Sequence, residues 1–304
     1  MATMLTATRT LGKTGVKVPL LGFGTAPLGK PDVPREVAVR CLNEAIDRGV
    51  TYIDTSPDYG SEPVVGEVMA KRRDEVFLAT KINRRSRDGV LDEIKESLNR
   101  LQTDHVDLIQ VHAVNAWADL EQTFAADGAL KAVEEAREQG LVRFLGITGH
   151  ARPELLGHAL TRYPFDAVLV ALGMADRLVS SPETFVLPRA VERNVGVIAM
   201  KVYGHGEFQS RDLALRYSLG LPGVSVAIIG MDSIEQLEEN VAIAADFRPL
   251  DDAEEERLIA EVRQLVEDDA TVNEEGKGKS PLFWLHDTKV TGWAHQDEPV
   301  LVSY

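Results

Sequence analysis

Eight short apolar runs recur along this 304-residue chain at a nearly constant interval, and each leads through a polar loop into a segment with helical periodicity. The runs are continuously apolar, as parallel strands buried on both faces are. They span Leu20–Thr25, Thr51–Thr55, Val76–Ile82, Val106–His112, Val142–Thr148, Ala167–Gly173, Gly196–Val202 and Val224–Gly230. Eight strands that alternate with eight helices predict a (β/α)8 TIM barrel over residues 20–247.

Helical segments separate these runs, and further pieces lie at both ends of the chain. Residues 8–19 predict a hairpin, turning at Lys13–Gly15, that covers the amino-terminal face of the barrel. Asp251–Asp268 predicts an acidic amphipathic helix, and an irregular tail completes residues 251–304. No linker rich in Pro, Gly or Ser divides the chain, so we expect one domain over residues 1–304. The predicted barrel helices are Arg35–Arg48, Val64–Ala70, Gly89–Leu101, Leu130–Gln139, Glu154–Thr161, Glu183–Arg193, Arg211–Leu219 and Ser233–Ala245.

Composition narrows the possible partners and compartments. The chain has 33 Lys and Arg against 48 Asp and Glu, a formal net charge of −15, so a nucleic-acid backbone would be repelled. Cys41 is the only cysteine, which suits a reducing compartment. Neither a membrane span nor a signal-peptide pattern is visible, and the histidines lack the HxxxH spacing of a metal site. We expect a cytoplasmic protein without metal that binds a small molecule, as a monomer or small homo-oligomer.

Polar residues stand where several of the apolar strands end, which is where barrels of this kind place their active sites. Asp54 ends the second run, Lys81 the third and His112 the fourth. Tyr59 follows Asp54 in the same loop. A lysine and a carboxylate that end buried strands must pair, because desolvating either charge alone costs several kcal/mol. The sequence therefore predicts that these four side chains meet at one place.

These residue types together favour proton transfer to a carbonyl oxygen. A cation beside a phenol favours the phenolate, so Lys81 is expected to lower the pKa of Tyr59 and make it a usable acid. His112 can donate a hydrogen bond to the same oxygen or relay the proton, since imidazole titrates near physiological pH. A Schiff-base aldolase with Lys81 as nucleophile is an alternative, although pairing with Asp54 would keep that lysine charged.

Six short motifs occur in order and at barrel spacing: Leu21–Thr25, Asp54–Gly60, Thr80–Lys81, Ser97–Leu101, Val106–His112 and Gln236–Asn240. With them the chain, from about residue 9 to 247, resembles the aldo-keto reductases, barrel enzymes that pass a hydride between a nicotinamide cofactor and a carbonyl. The resemblance implies that Tyr59 is the proton donor and that Lys81 and Asp54 tune it. It implies that His112 orients the carbonyl. The absence of a GxGxxG fingerprint agrees with this, because the family binds its dinucleotide without a Rossmann turn.

The resemblance also implies which residues hold the cofactor across the barrel mouth. Gly24 and Thr25 match the contact made by the first barrel strand. Free N–H groups at the amino terminus of the last barrel helix suit a phosphate. On that loop and helix the matching residues are Gly230, Ser233, Gln236, Glu239 and Asn240.

Some positions depart from the usual pattern of the family. Where many members hold the nicotinamide amide with Ser-Asn, this chain has Thr148 followed by Gly and His. The aromatic residue that usually stacks on the nicotinamide is Met200, followed by Lys201. The basic residues that often grip a 2′-phosphate are Gly230 and Gln236. We nevertheless expect NADP(H) rather than NAD(H), because some members with this loop type use NADP.

Other features leave alternatives open. Met200, Lys201 and the tail resemble a less characterised bacterial branch of the family. His150 and His205, just beyond strand ends, are candidate substrate contacts. A second interpretation of the chain is a regulatory or partner subunit that binds the cofactor without significant turnover. The aromatic tail residues either fold over the pocket or clamp the tail to the outside of the barrel. They are Phe283, Trp284, Trp293 and His295.

Overall fold

The computed structural model describes residues 3–150, 152–275 and 282–285. The strands are β1 (Thr8–Thr10), β2 (Lys17–Pro19), β3 (Leu21–Gly24), β4 (Tyr52–Asp54), β5 (Phe77–Ile82), β6 (Val106–Val111), β7 (Val142–Gly149), β8 (Ala167–Ala171), β9 (Gly196–Met200) and β10 (Val224–Gly230). Strands β3 to β10 form a closed barrel in sequence order, with β10 pairing β3. Every pair in the barrel is parallel.

Helices surround the barrel. They are α1 (Arg35–Asp47), α2 (Glu62–Arg72), α3 (Arg87–Arg100), α4 (Trp117–Thr123), α5 (Ala129–Glu138), α6 (Pro153–Arg162), α7 (Met174–Val179), α8 (Pro182–Phe185), α9 (Leu187–Glu192), α10 (Arg211–Gly220), α11 (Ile234–Ala245) and α12 (Asp252–Glu275). None of the described helices is both long enough and apolar enough to cross a membrane.

The predicted (β/α)8 fold is confirmed. Each barrel strand begins and ends within two residues of its predicted bounds. The helix predicted over Glu183–Arg193 is wrong in part, because α8 and α9 divide it. Pro188 lies at the start of α9, and its ring and missing N–H break a continuous helix at the preceding turn.

Two short helices, α4 and α7, were not expected from the sequence. Each has an aspartate in its first turn that accepts a backbone hydrogen bond at the helix start. Asp119 accepts from the N–H of Ala116 at 3.0 Å, and Asp176 accepts from that of Gly173 at 3.0 Å. Helices of seven and six residues are too short to show helical periodicity, so this capping pattern is their only local signal.

The predicted hairpin is present and covers the amino-terminal end of the barrel. β1 pairs antiparallel with β2, and a 3-10 turn at Gly12–Thr14 joins them. Leu11 is fully buried among side chains of the barrel interior. The N–H of Lys13 donates to the carbonyl of Asn194, two residues before β9, at 2.7 Å. Assignment of the whole chain to one domain stays a prediction.

The barrel interior changes from apolar to polar along the strand direction. Side chains alternate between the two faces of a strand, so residues two apart both point inward. Tyr52, Phe77 and Leu108 belong to the apolar interior cluster. Further along the same three strands, Asp54 accepts hydrogen bonds from both Lys81 and Gln110 inside the barrel. The polar layer therefore lies at the carboxyl ends of β4, β5 and β6.

The two glycines of the hairpin turn, Gly12 and Gly15, differ in how closely they are packed. Both have left-handed backbone, with φ of +46° and +73°, but a Cβ on Gly12 would lie 2.2 Å from the backbone nitrogen of Gly196, whereas one on Gly15 would meet nothing within 4 Å. We expect Gly15→Ala to lower the free energy of unfolding by about 1 kcal/mol, from backbone strain alone. Gly12→Ala should lower it by about 3 kcal/mol, because overpacking adds to the strain. Urea unfolding measures both, and equal losses would contradict this account of the hairpin.

Candidate active site

The ion pair predicted between Lys81 and Asp54 is present inside the barrel. The ammonium of Lys81 donates to Oδ1 of Asp54 at 2.5 Å and to the carbonyl of Thr55 at 2.8 Å. Lys81 is 1% exposed and Asp54 2%. Burial alone would lower the pKa of Lys81, but the charge and hydrogen bond of Asp54 act in the opposite direction, and the pKa lies above its usual value. Lys81 is held as a cation, which argues against a Schiff-base nucleophile.

Gln110 is a further partner of this pair that sequence reasoning missed. It lies on β6 beside Lys81 in the strand register, and its Nε2 donates to Oδ2 of Asp54 at 2.9 Å. Both carboxylate oxygens of Asp54 thus accept a hydrogen bond from a buried side chain. The signal was available, because Gln110 is a polar residue within an apolar strand and shares a face with His112 two residues later.

Tyr59 lies beside the ammonium of Lys81. It ends the 3-10 helix Pro57–Tyr59, and Lys81 Nζ is 4.6 Å from the centroid of its ring. The preceding loop passes so close that a Cβ on Gly29 would lie 1.6 Å from the carbonyl oxygen of Tyr59, so only glycine fits there. The two loops therefore fix the backbone that carries Tyr59.

The expected direction of the Tyr59 pKa shift is wrong. Burial raises the pKa of the Tyr59 hydroxyl, and the charge of Asp54 adds to the increase. The charge of Lys81 and its hydrogen bond to Tyr59 act in the predicted direction and lower the pKa, but they offset burial only in part. Tyr59 is consequently a protonated phenol with a cation at hand to stabilise its phenolate once the proton leaves.

His112 lies at the end of β6 and faces Tyr59 edge-on, with ring centroids 6.4 Å apart. It is 1% exposed. Burial lowers its pKa, and Lys81 and Arg85 add to the decrease, while Asp58 opposes it. Nδ1 of His112 lies 2.8 Å from Oδ1 of Asn83, another contact that the sequence analysis did not foresee. The structure thus brings together all four predicted catalytic side chains.

The two candidate substrate histidines occupy different places. The ring of His150 lies 6.2 Å from that of His112, as expected for a residue lining the same mouth. His205 lies beyond β9, where its Nε2 is 2.6 Å from Nζ of Lys201. Desolvation lowers the pKa of Lys201 to about 8, although the negative charge of Asp176 acts in the opposite direction. Lys201 and His205 therefore form one cluster, and their charges, like that of His112, lower the pKa of His150.

Trp284 joins the Lys201 cluster from the C-terminal segment. Its ring centroid is 5.2 Å from Nζ of Lys201 and 5.1 Å from the ring of His205. The indole N–H donates to Oδ1 of Asp176 at 2.9 Å, and Trp284 is 2% exposed. Trp284 thus packs at the carboxyl ends of the strands. The side chain of Phe283 and the whole of Trp293 and His295 lie outside the described residues, so the expectation for the rest of the tail stays a prediction.

The strand residues predicted to hold a cofactor all lie at this end of the barrel. Gly24 and Gly230 are register partners at the ends of β3 and β10. Thr25 Oγ1 shares a hydrogen bond with Ser61 at 2.8 Å. Thr148 Oγ1 is buried and has no hydrogen-bond partner within the described part of the chain. A buried hydroxyl without a partner is costly, so Thr148 fits a role in binding a polar group of a ligand.

The predicted residues of α11 already have protein partners. Ser233 caps the helix by accepting from the N–H of Gln236 at 3.2 Å, and the side chain of Gln236 accepts from the N–H of Asp232. Asn240 accepts from the hydroxyl of Tyr203 at 2.6 Å. Met200 ends β9, next to the Lys201 cluster. These positions agree with a ligand lying across the mouth between β9 and α11.

Arg211 is a basic residue at this edge that sequence reasoning missed. It begins α10, and its guanidinium forms a 2.9 Å ion pair with Glu239 of α11. The two residues are 28 positions apart, so only the packing of α10 beside α11 brings them together. No group of three or more potential metal ligands is found among the described residues.

Comparison with known proteins identifies the family. The profile of the Aldo/keto reductase family matches residues 20–213. L-galactose dehydrogenase of Arabidopsis thaliana is 30% identical, over 85% of this chain and 94% of that protein. The chain belongs to the aldo/keto reductase family. Among solved structures, the holo form of an aldo-keto reductase from Bacillus halodurans gives a TM-score of 0.71 at 26% identity, covering 85% of this chain and 95% of that one.

A third relative shows what a protein of this family binds. The aldo/keto reductase of Klebsiella pneumoniae, solved in complex with NADP and acetate, gives a TM-score of 0.69 at 26% identity, covering 83% of this chain and 93% of that one. Membership makes this chain an NAD(P)-dependent oxidoreductase, whose general chemistry is the reduction of small-molecule carbonyls with a nicotinamide cofactor.

The buried ion pair predicts that substitutions of its two residues have strongly non-additive effects on the free energy of unfolding. Asp54→Asn leaves the ammonium of Lys81 buried without a counter-charge, and Lys81→Met does the same to the carboxylate, so we expect each to lower the free energy of unfolding by about 3–5 kcal/mol. The double variant should lose less than either single variant, because no charge remains and the amide oxygen introduced by Asp54→Asn still accepts from Gln110. Urea unfolding of the wild type, the two single variants and the double variant measures these losses. Additive losses of unfolding free energy would show that the two charges do not stabilise each other.

Proposed function

We propose that this aldo/keto reductase interconverts a carbonyl and an alcohol with Tyr59 as the proton donor to the substrate oxygen. The observation that carries the proposal is the position of the Tyr59 ring over a lysine that Asp54 and the carbonyl of Thr55 hold as a cation against the effect of burial. Of the four predicted catalytic residues, Tyr59 is the one with a hydroxyl group, whose proton can be transferred to the oxygen of the product alkoxide.

The protein side of this mechanism follows from the contacts. When bound, a nicotinamide cofactor supplies or accepts the hydride. Tyr59 gives its proton to the carbonyl oxygen during reduction and takes it back during oxidation. Lys81 stabilises the resulting phenolate by its charge. Asp54 of β4 prevents the ammonium from moving away, and Gln110 of β6 holds the Asp54 carboxylate in place by donating to its other oxygen.

The residues that would hold the cofactor are those that line the mouth from β3 to α11. Gly24, Thr25 and Thr148 would contact the nicotinamide half, beside Met200 and Lys201. Gly230, Ser233, Gln236, Glu239 and Asn240 would contact the adenosine half. We infer a preference for NADP(H) over NAD(H). Arg211 supports it, since this guanidinium beside Glu239 supplies the positive charge that Gly230 and Gln236 lack.

The substrate is proposed as a small aldehyde, ketone or aldose, or the corresponding alcohol. The name of the Arabidopsis relative describes a sugar dehydrogenase, which supports a hydroxylated substrate for this chain as well. The protein is proposed to work in the cytoplasm as a monomer or small homo-oligomer. The intact group of four catalytic side chains favours an enzyme over a regulatory subunit that only binds the cofactor.

Replacing the Tyr59 hydroxyl tests the proton donor. We expect Tyr59→Phe to lower kcat by about 10²–10⁴-fold on a panel of aldehydes, ketones and aldoses, because the proton transfer is lost. Cofactor affinity, followed by tryptophan quenching, should change less than about twofold. Tyr163→Phe is the matched control, since that hydroxyl bonds Glu134 outside the barrel. Full activity of Tyr59→Phe would remove Tyr59 from the mechanism, and wild-type binding without any turnover would favour the regulatory subunit.

The cofactor preference is tested by titrating the protein with NADPH and NADH separately. We expect Arg211→Gln to weaken NADPH binding about tenfold, because a charged contact to the 2′-phosphate is lost, and to leave NADH binding within about twofold. Arg177→Gln is the matched control, because Arg177 forms an ion pair of similar exposure with Glu255. Equal affinities of the wild-type protein for both cofactors, or equal losses for both in Arg211→Gln, would contradict the preference.

A further inference from the structure

Arg85 is a buried arginine whose guanidinium joins the ends of two neighbouring barrel strands. It lies three residues after β5 and is 6% exposed. Its Nη1 donates to the carbonyl of Asn83 at 2.9 Å, and its Nη2 donates to the carbonyl of His112. Asn83 comes directly after β5, and His112 comes directly after β6. One planar group with its donors in a fixed fork therefore holds both strand ends.

The contact with His112 lies where the strand ladder stops. The N–H of His112 still donates to the carbonyl of Ile82 on β5 at 2.9 Å, but the next residue, Ala113, has left-handed backbone with φ of +51°. Backbone of that kind leaves the extended conformation of a strand. The carbonyl of His112 therefore lies at a turn of the chain, and Arg85 holds it from the side of β5.

The charge of Arg85 is more than a bridge between carbonyls requires. Within the described part of the chain, its hydrogen bonds all go to backbone carbonyls, and its Nε has no partner there. Burial lowers the pKa of Arg85, and the charges of Asp119 and Glu93 offset this only in part. The guanidinium still stays protonated. A neutral amide could donate to carbonyls at the same place without the cost of burying a charge.

We propose that Arg85 is a positioning residue for His112, which holds the backbone that carries the imidazole and opposes protonation of the ring by its charge. The proposal rests on the proposed function, in which His112 is one of the four catalytic side chains, and adds a residue that acts through it. The guanidinium is bonded to the carbonyl of the same residue whose ring it influences. At so short a separation, a buried cation disfavours a second positive charge.

The charged groups around the His112 ring come from several elements. Burial lowers its pKa and Asp58 raises it, while Lys81 and Arg85 lower it, with a net decrease. Without the charge of Arg85, the effect of Asp58 is opposed less, so the pKa of His112 should rise. The other titratable rings that face His112 are those of Tyr59, after β4, and His150, after β7.

The two loops that Arg85 joins also have anchors of their own. Glu93 of α3 accepts from the N–H of Asn83 at 2.8 Å. Asp119 of α4 accepts from the N–H of Ala116 at 3.0 Å. Substituting Arg85 removes its contacts with the two carbonyls and leaves these anchors in place. We therefore expect variants of Arg85 to fold.

The pKa of His112 can be measured directly, without substrate or turnover. Protein labelled with ¹⁵N at histidine is titrated between pH 5 and 9 in long-range ¹H–¹⁵N spectra, and His112→Gln assigns the signal. Arg85→Gln should raise the pKa of His112 by about half a pH unit, because the amide can still donate to a carbonyl but the charge is gone. Arg85→Lys keeps the charge and should leave the pKa within about 0.2 of the wild-type value.

Arg9→Gln is the matched control for this titration. Arg9 also donates to two backbone carbonyls, those of Leu219 and Val224, each at 2.7 Å, but it belongs to the hairpin at the amino-terminal end of the barrel. This variant should leave the pKa of His112 unchanged. Equal pKa values in the wild type and Arg85→Gln, or equal increases in Arg85→Gln and Arg85→Lys, would overturn the electrostatic role. Arg85→Met replaces Arg85→Gln if that variant does not fold, and failure of both to fold would leave Arg85 a structural residue alone and overturn the proposal.

Turnover separates the two parts of the role. An ammonium lacks the fork that holds both carbonyls, so Arg85→Lys should lower kcat about tenfold while cofactor affinity stays within about twofold. In Arg85→Gln, the limb of the kcat/KM profile that follows His112 should move to higher pH by the same half unit. Wild-type kcat in Arg85→Lys would overturn the positioning role. Because the titration needs no turnover, failure there is distinguishable from failure of Tyr59 as the proton donor.

Discussion

The buried pair of Lys81 and Asp54 is the interaction on which the rest of the site depends. Two charges at 1% and 2% exposure are stable in a barrel interior only if each satisfies the other and the remaining hydrogen bonds are made. The carbonyl of Thr55 and the amide of Gln110 make them. Three strands must therefore keep their register for the pair to form. The apolar layer below, with Tyr52 and Phe77, excludes water from that side of the pair.

The fold could be predicted almost completely because its signal is repeated. Each strand is a continuous apolar run, and eight repetitions at similar spacing leave few architectures other than a closed barrel. What the sequence did not reveal were elements too short for periodicity, α4 and α7, and the break between α8 and α9. A single aspartate marks the start of α4 and of α7, and a single proline causes the break before α9. No pattern of several residues therefore indicates these features.

The site residues could be predicted where a polar side chain stands at the end of an apolar strand. They could not be predicted where only tertiary packing brings two residues together. Asp54, Lys81 and His112 each end a strand, and adjacent strands bring them together. Asn83 and Arg211 acquire their roles from residues on other elements, so the chain pattern carries no sign of them. The Tyr59 pKa shows a further limit. The residue types indicate the sign of the Lys81 effect, but the degree of burial that outweighs it depends on the folded loops.

The two sides of the barrel mouth differ in how their charged side chains are paired. On the side of β4 to β6, each of the charges Asp54, Asp58 and Lys81 has a partner within the site, which suits proton transfer between fixed groups. On the side of β9, desolvation together with Lys201 and Lys30 lowers the pKa of His205 to about 4. Desolvation is the largest cause of this decrease, and the two nearby cations add to it in a chain whose formal net charge is −15. The two sides therefore balance their cations differently: Lys81 has a direct ion pair with Asp54 inside the barrel, whereas Lys201 lies beside the neutral ring of His205 and is influenced by Asp176 through its charge.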